Sequence, residues 1–405
     1  MPSASSPPRP EVLLLGLGSV GVLYAYLLQK GGAHVTCVCR SNYDVVRERG
    51  IDIYSDKYGT HRGWRPDRVV RSPDELAPVP LDYVVCCFKC LPDVNPNHEV
   101  VRPYLERNRA LQPAHLPTLV FIQNGIDIEE ASHQRLVLSE APLARGILSG
   151  LTWVAVTMSP DGHSIEHSHM EALRTGTYPS PQDGEVPRGL AEANAAFVEL
   201  AARGGSHAAV SDDIAPDRWS KLLWNASWGA ASLLARRPVL ELLQADAIDT
   251  TLGVVRGLLL ELLDVARASG LHNDRFPATH IDNVLQATLA CSPAQLCVVR
   301  DPKAILQAPT FASFRPDFKP SILIDMERAR PMEIEPLFVN VVRRARRTRV
   351  DTPRLDMVLA TLRPSQLAFI RQQRNLDEAA LIQSNEERYI GAKDALVGDV
   401  PVLGT

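Results

Sequence analysis

The chain has 405 residues, of which 45% are hydrophobic and 22% charged, the proportions of an ordinary globular protein with two or three domains. A formal net charge of −4 and a pI of about 6.3 argue against a dedicated nucleic-acid binder. No apolar run approaches the roughly 20 residues that a membrane span needs. The seven cysteines are odd in number and their spacing shows no secreted disulfide framework, which indicates a reducing compartment. We therefore expect a cytoplasmic protein that uses neither a membrane nor a nucleic acid as a partner.

The N-terminal half alternates strand-like with helix-like segments. Residues 1–10 are rich in proline and serine and predict a tail. A polar segment at 52–72 predicts a surface loop or hairpin. Buried strands are expected at 12–15, 34–39, 81–88, 118–122, 147–158 and 163–171, with a helix at 20–30. This alternation predicts a doubly wound α/β domain over residues 11–205.

The C-terminal half has helical periodicity only. The helical segments are 218–234, 239–269, 280–291 and 321–348, with a proline-rich connection near 309–320. We expect an all-helical domain over residues 206–371, followed by a polar tail over 372–405.

A glycine-rich turn lies between the first predicted strand and the first predicted helix. It reads Gly16-Leu-Gly18-Ser-Val-Gly21, a G-x-G-x-x-G pattern in the context that dinucleotide binding requires. In this Rossmann-type arrangement the first glycine permits the turn, the second admits the pyrophosphate, and the third lets helix and strand pack closely. The predicted cofactor-binding residues are Gly16, Leu17, Gly18, Ser19, Val20 and Gly21. A purely structural turn is the alternative.

The end of the second strand indicates which dinucleotide is bound. An NAD site usually places a carboxylate there for the ribose hydroxyls, whereas this chain has Arg40 and no acid before Asp44. A guanidinium pairs well with a 2′-phosphate. We therefore predict NADP (NADPH) as the cofactor, with Arg40 at the phosphate, the alternative being a solvated charge at a strand end.

Several motifs in a fixed order resemble those of the ketopantoate reductase (2-dehydropantoate 2-reductase) family. They are the glycine turn, Phe88-Lys89, Gln123-Asn124-Gly125, the W-x-K-L-x-x-N element that runs from Trp219 to Asn225, and Ser321, Asp325 and Glu333. The resemblance covers residues 11–362, and the extra length is similar to that of the longer eukaryotic, fungal-like members. It implies an N-terminal Rossmann-type domain, a helical C-terminal domain, NADPH-dependent reduction of a 2-oxo acid to its alcohol, and a homodimer.

The resemblance also assigns roles to individual residues. Lys221 and Glu333 match the catalytic lysine and the acid that cooperates with it. Asn225 and Ser321 match substrate-contacting positions. Asn124 matches an asparagine near both substrate and nicotinamide, and Lys89 a lysine close to the cofactor.

The chemistry of ketone reduction needs groups of this kind. Hydride addition leaves an alkoxide, which requires a proton donor such as a lysine ammonium. Lys221 and Asn225 are four residues apart and share a helical face. Glu333 follows Pro331, which predicts that it lies in the first turn of a new helix. Ordinary structural roles remain the alternative for each of these residues.

One position departs from the family pattern. Gly229 stands where the family has a second asparagine, and Trp224 and Trp228 flank it. Because polar mismatches in a buried site are costly, this change leaves the substrate open. The alternatives are a reductase of the same mechanism with another keto or imine substrate, and a redox sensor that binds NADP without turnover.

Two further clusters have weaker functional signals. His163, His167 and His169 would share one face of a strand, but we predict no metal site. The arginine run at 343–347 is typical of a solvated helix end.

Overall fold

The computed structural model describes residues 9–291 and 317–374, and these form two compact units. The first unit extends to Asp217. The second extends from Arg218 onward and also includes two short segments from the first half, Leu91–Val94 and Gly125–Asp127.

The division therefore lies later than the boundary at 205–206 expected from the sequence. The reason is that Ala208–Val210 forms a short strand that pairs with the sheet of the first unit. Residues 1–8 and 375–405 of the two expected tails lie outside the described residues, whereas residues 372–374 belong to the last helix.

The first unit is built on one ten-stranded sheet. Its order is β4-β3-β9-β8-β7-β6-β1-β2-β5, with β10 paired to β9. The segment expected as a loop or hairpin contributes the hairpin β3–β4 and the edge strand β5. The strands are β1 (Glu11–Leu15), β2 (His34–Val38), β3 (Ile51–Ser55), β4 (Gly59–Trp64), β5 (Arg68–Val70), β6 (Tyr83–Cys86), β7 (Thr118–Ile122), β8 (Gly146–Met158), β9 (Ser164–Tyr178) and β10 (Ala208–Val210).

Both faces of the central strands are buried, which confirms the doubly wound prediction. Val12 and Leu14 of β1 belong to the hydrophobic cluster on one face, and Leu13 and Leu15 to the cluster on the other. Each fully buried side chain of this size contributes about 1.5–3 kcal/mol. The helices of this unit are α1 (Ser19–Lys30), α2 (Tyr43–Glu48), α3 (Asn97–Leu111), α4 (Glu130–Ser132) and α5 (Leu190–Arg203). The carboxyl ends of the parallel strands therefore lead into the loops that contain the glycine turn and Lys89.

The described part of the second unit contains helices and turns and no strand. The helix expected at 239–269 consists of the turn Val239–Leu243 and a separate helix, because the chain is extended at Gln244. The helices are α6 (Ile214–Ala235), which begins in the first unit, α7 (Ile248–Ala268), α8 (Thr279–Leu289), α9 (Ser321–Glu327), α10 (Asn340–Thr348) and α11 (Pro353–Arg374).

The helix expected at 321–348 is also interrupted. α9 ends at Glu327, Ala329 adopts a φ of +49°, and the chain is irregular through Glu333. Pro331 lacks the N–H that a continuous helix would need. A π-helical turn, Glu335–Val339, then leads into α10. None of the described helices is long and apolar enough to span a membrane.

Candidate active site

The glycine turn after β1 has a backbone that accepts no side chain at two of its three glycines. Gly16 has a φ of +94°, and a Cβ there would lie 2.4 Å from the backbone nitrogen of Phe88. A Cβ at Gly21 would lie 2.0 Å from the carbonyl oxygen of Gly16. At Gly18, by contrast, a Cβ would meet no described atom within 4 Å. Gly16 and Gly21 are therefore required by the protein's own packing, whereas Gly18 keeps the backbone accessible from outside.

The first turn of α1 offers backbone N–H groups at this open position. Gly18 is the N-cap residue and supplies no side-chain cap, and the turn contains no acidic residue. Uncapped N–H groups and the helix dipole together form an anion site. Leu17 is buried, so it can reach a ligand only through its backbone, while Ser19 and Val20 are half-buried. The turn therefore fits the pyrophosphate of a dinucleotide.

Arg40 lies just beyond the end of β2, with its side chain exposed. Asn42, two residues further along, donates a hydrogen bond from Nδ2 to the carbonyl oxygen of Leu17, at 2.9 Å. This bond ties the end of β2 to the glycine turn. The cation and the turn thus belong to one edge of the sheet.

Lys89 and Asn124 follow β6 and β7, the next two strands along the sheet. Lys89 is exposed and Asn124 half-buried. Between them, the buried Gln123 donates from Nε2 to the carbonyl oxygen of Phe88 at 2.8 Å and accepts from Nδ2 of Asn97 at 2.8 Å. Gln123 therefore fixes the loop that packs against Gly16. Sequence reasoning gave this residue no role, although its place in the motif was a usable signal.

Lys221 and Asn225 lie in α6, as the spacing predicted, and both side chains are half-buried. Arg218, one turn earlier, is buried and donates from Nη1 to the carbonyl oxygen of Gly125 at 2.9 Å. A buried guanidinium needs such an acceptor. Arg218 was also without a predicted role, and its position directly before the W-x-K-L-x-x-N element was the available signal.

Glu333 is buried, and it directly precedes the helical segment that starts at Ile334 rather than lying inside its first turn. Its carbonyl oxygen accepts a hydrogen bond from Leu337. Desolvation lowers the pKa of Lys221 to about 7, and the positive charge of Arg218 contributes to the lowering, whereas the nearby Glu333 carboxylate opposes it. The second unit therefore contains a lysine that can change protonation state near neutral pH, within the field of a buried acid.

Ser321 is the first residue of α9, with Pro320 at the N-cap position. Its side chain is exposed, and it makes no hydrogen bond within the described part of the chain. Lys319, just before it, pairs with Glu327 at 2.7 Å. The structure thus places Ser321 at the start of a helix, with its side chain exposed.

Gly229 is buried in α6, two turns beyond Lys221. A Cβ there would lie 3.9 Å from the carbonyl oxygen of Trp224, with no closer atom among the described residues. The Trp224 indole is held by a hydrogen bond to Oγ1 of Thr288 at 3.2 Å, and Trp228 is fully buried. Among the described residues, a methyl group would consequently fit beside Gly229 without a clash.

The histidines at 163, 167 and 169 have surroundings typical of structural residues rather than of metal ligands. His167 is buried, with Nδ1 at 2.8 Å from Oγ of Ser55 and Nε2 at 3.1 Å from the carbonyl oxygen of Met170, and burial lowers its pKa. His169 is exposed. Over residues 9–291 and 317–374, no group of His, Cys, Asp and Glu residues is arranged to hold a metal ion.

The arginine run is largely paired with acids. Arg343 pairs with Glu335, Arg344 with Asp127 and Arg346 with Asp356. These ion pairs therefore stabilise the packing of the second unit.

The first unit has a sheet with an open glycine turn, and the second has a lysine with a pKa of about 7 near a buried acid. Together these features are typical of an NAD(P)-dependent oxidoreductase. Comparison with known proteins narrows the class. The chain matches the family model "Ketopantoate reductase PanE/ApbA" over residues 12–180 and "Ketopantoate reductase PanE/ApbA C terminal" over residues 213–366. The chain belongs to the ketopantoate reductase family.

Two relatives match most of the chain. An uncharacterized protein of Saccharomyces cerevisiae is 28% identical over 363 residues, covering 86% of this chain and 91% of the relative. A 2-dehydropantoate 2-reductase of Nostoc is 23% identical over 353 residues, covering 86% and 93%. The yeast relative is in line with the predicted fungal-like branch.

Solved structures share the fold over nearly the whole chain. A 2-dehydropantoate 2-reductase from Methylococcus capsulatus has a TM-score of 0.66 and 29% identity, covering 89% of this chain and 97% of that one. A D-mandelate dehydrogenase with NADH and anilino(oxo)acetate has a TM-score of 0.65 and 15% identity, covering 89% and 99%. A dimeric ketopantoate reductase from Staphylococcus aureus has a TM-score of 0.61 and 19% identity, covering 89% and 99%. This fold is thus shared by proteins whose names give different substrates.

Proposed function

We propose that this protein uses NADPH to reduce the ketone of a small branched 2-oxo acid, 2-dehydropantoate, to pantoate. The observation that carries the proposal is Lys221, whose pKa is lowered to about 7 in the vicinity of the Glu333 carboxylate. A lysine in this state can donate a proton at neutral pH and be protonated again for the next turnover. Membership of the ketopantoate reductase family supports the same chemistry.

The residues of the first unit fit a dinucleotide. The open face of Gly18 and the uncapped first turn of α1 suit a pyrophosphate, and the exposed Arg40 suits a 2′-phosphate. When bound, the cofactor supplies the hydride. We assign Lys89 and Asn124 to cofactor contacts, and Asn124 also to the substrate.

Lys221 performs the proton transfer in the proposed reaction. As the carbonyl carbon of the substrate gains a hydride, its oxygen gains a negative charge, and the Lys221 ammonium donates a proton from Nζ to that oxygen. Glu333 favours the ammonium form of Lys221, because its charge opposes the effect of desolvation. Asn225 and Ser321 are assigned to the polar groups of the substrate.

A second candidate function keeps this mechanism but takes another keto or imine substrate. Gly229 favours it, because this position lacks the family's amide, and among the described residues the nearest atom to an added Cβ is the Trp224 carbonyl oxygen at 3.9 Å. A substrate with a larger side chain would suit such space.

The test is NADPH oxidation by the purified protein with 2-dehydropantoate. We expect turnover with NADPH, less with NADH, and none in Lys221→Ala, whereas Lys30→Ala at the exposed end of α1 should behave as the wild type. Lys221→Ala should still bind NADPH. Tight NADPH binding without turnover would refute 2-dehydropantoate as the substrate and direct the search to other carbonyl and imine compounds, and to a sensor if none is reduced.

Two further proposals concern the assembly and the compartment. A homodimer is supported by the similar fold of the dimeric Staphylococcus aureus enzyme, and light scattering on the purified protein tests it. The cytoplasm is supported by six cysteines of the described residues that remain thiols rather than forming disulfides, and fractionation of cells that produce the protein tests it.

A further inference from the structure

Gln366 of α11 is fully buried and hydrogen-bonded at both ends of its amide. Its Oε1 accepts from the backbone nitrogen of Met332 at 2.7 Å, and its Nε2 donates to the carbonyl oxygen of Met332 at 3.0 Å. The same Nε2 also donates to Oδ2 of Asp93 at 2.8 Å. One side chain therefore holds both backbone groups of the residue that directly precedes Glu333.

The hydrogen bonds of Gln366 to Met332 and Asp93 form a clamp, and it acts on a segment whose backbone has no regular secondary structure. Residues 331–333 lie between a turn in which Ala329 has a φ of +49° and the helical segment that begins at Ile334. The carbonyl oxygens of Met332 and Glu333 accept hydrogen bonds from Ile334 and Leu337, which tie the segment to the helical residues that follow it. The bonds from Gln366 add a tie between Met332 and α11. Met332 and Glu333 are both buried, which gives the segment little freedom to move once it is held.

The clamp is itself anchored on both sides. Asp93 accepts from Gln366, and burial raises the pKa of Asp93 to about 6. Arg374, two turns further along α11, donates to the carbonyl oxygen of Val94, next to Asp93. Arg363 of the same helix pairs with the buried Glu335 at 3.3 Å. α11 is thus tied to the chain on either side of Glu333.

We propose that Gln366 is a positioning residue, which holds the Glu333 carboxylate in place against the Lys221 ammonium. The inference rests on the proposed catalytic pairing of Lys221 with Glu333. Among residues 9–291 and 317–374, the charged groups that act on Lys221 are Glu333 and Arg218. Of these two groups, only Glu333 favours the ammonium form of Lys221. If Glu333 is held less firmly, its effect becomes weaker, and the protonation midpoint of Lys221 must fall.

The experiment measures that midpoint directly. The chain has seven lysines, so protein labelled with ¹³C at the lysine ε carbon gives few signals, and that of Lys221 is identified by its loss in Lys221→Arg. Gln366→Met has nearly the same length but no hydrogen-bonding groups, and Gln366→Asn keeps the amide on a shorter stem. Both variants should lower the Lys221 midpoint by about half a pH unit or more. Since Gln366→Asn retains a polar group in the buried position, it tests the proposal even where Gln366→Met does not fold.

A matched control separates positioning from general loosening of α11. Val358→Ala removes buried volume from the same helix, two turns before Gln366, and it should leave the Lys221 midpoint unchanged. An unchanged midpoint in folded Gln366 variants, or an equal shift in Val358→Ala, overturns the proposal. The pH profile of kcat should shift in the same direction as the midpoint. A shifted midpoint in a protein that reduces no 2-oxo acid would instead refute the proposed function and leave the positioning role standing.

Discussion

Gly21 and Gly18 lie in one turn but should respond to alanine in opposite ways. In Gly21→Ala the new Cβ would begin 2.0 Å from the carbonyl oxygen of Gly16, although Cβ contacts under 3.0 Å are essentially never found. α1 must therefore move by about 1 Å away from the strand that it covers, and such overpacking costs about 1–3 kcal/mol. For a unit of this size that corresponds to a fall in Tm of roughly 2–12 °C.

Gly18→Ala is the matched variant. Its Cβ meets no described atom within 4 Å, so the loss at the N-cap should stay below about 1 kcal/mol. The methyl group would instead occupy the space needed by the pyrophosphate, and NADPH affinity should fall about 10-fold or more, equivalent to 1.4 kcal/mol. Thermal unfolding and titration of NADPH fluorescence measure the two effects separately. Wild-type stability in Gly21→Ala, or wild-type NADPH affinity in Gly18→Ala, would refute the assignment of the turn.

Three other predictions address the remaining site residues. kcat for ketone reduction should decline as the pH rises through about 7, because the neutral Lys221 amine cannot donate a proton. Glu333→Gln should move this decline to lower pH in a series of kcat measurements across pH. A decline at the same pH in both proteins would contradict the role of Glu333. Arg40→Ala should weaken NADPH binding about 10-fold to 100-fold while NADH binding hardly changes, and equal losses for both cofactors would argue against a phosphate contact. Gly229→Ala should raise the free energy of unfolding by about 0.5–1 kcal/mol, as judged by urea denaturation, and a loss of stability would show that the space beside Gly229 is already filled.

The sequence was sufficient for the features that depend on neighbouring residues. The glycine turn follows directly from spacing and from the apolar strand before it, and α6 follows from the periodicity around Lys221. β9, in contrast, runs to Tyr178 rather than ending at residue 171, because its antiparallel pairing with β8 continues to that point. Strand pairing of this kind is a tertiary property that local pattern does not contain.

The same limit applies to the candidate site. Glu333 could be identified from its motif, but Gln366 is 33 residues further along the chain and has no pattern that marks it. Its role depends on a side chain meeting a backbone segment that lacks regular structure. Gln123 belongs to the Gln123-Asn124-Gly125 motif, and Arg218 directly precedes the W-x-K-L-x-x-N element. Their acceptors, the carbonyl oxygens of Phe88 and Gly125, are evident only in three dimensions.

The second unit is formed by separate segments of the chain, and this limits how its parts can be exchanged between relatives. The unit includes Gly125–Asp127, whose carbonyl and carboxylate oxygens accept hydrogen bonds from Arg218 and Arg344. A fragment beginning at Arg218 would retain both cations and lose these two acceptors, which removes part of the compensation of a buried guanidinium. Chimeras that replace everything after residue 217 therefore inherit mismatched loops, and a functional exchange has to carry residues 91–94 and 125–127 along with the helices.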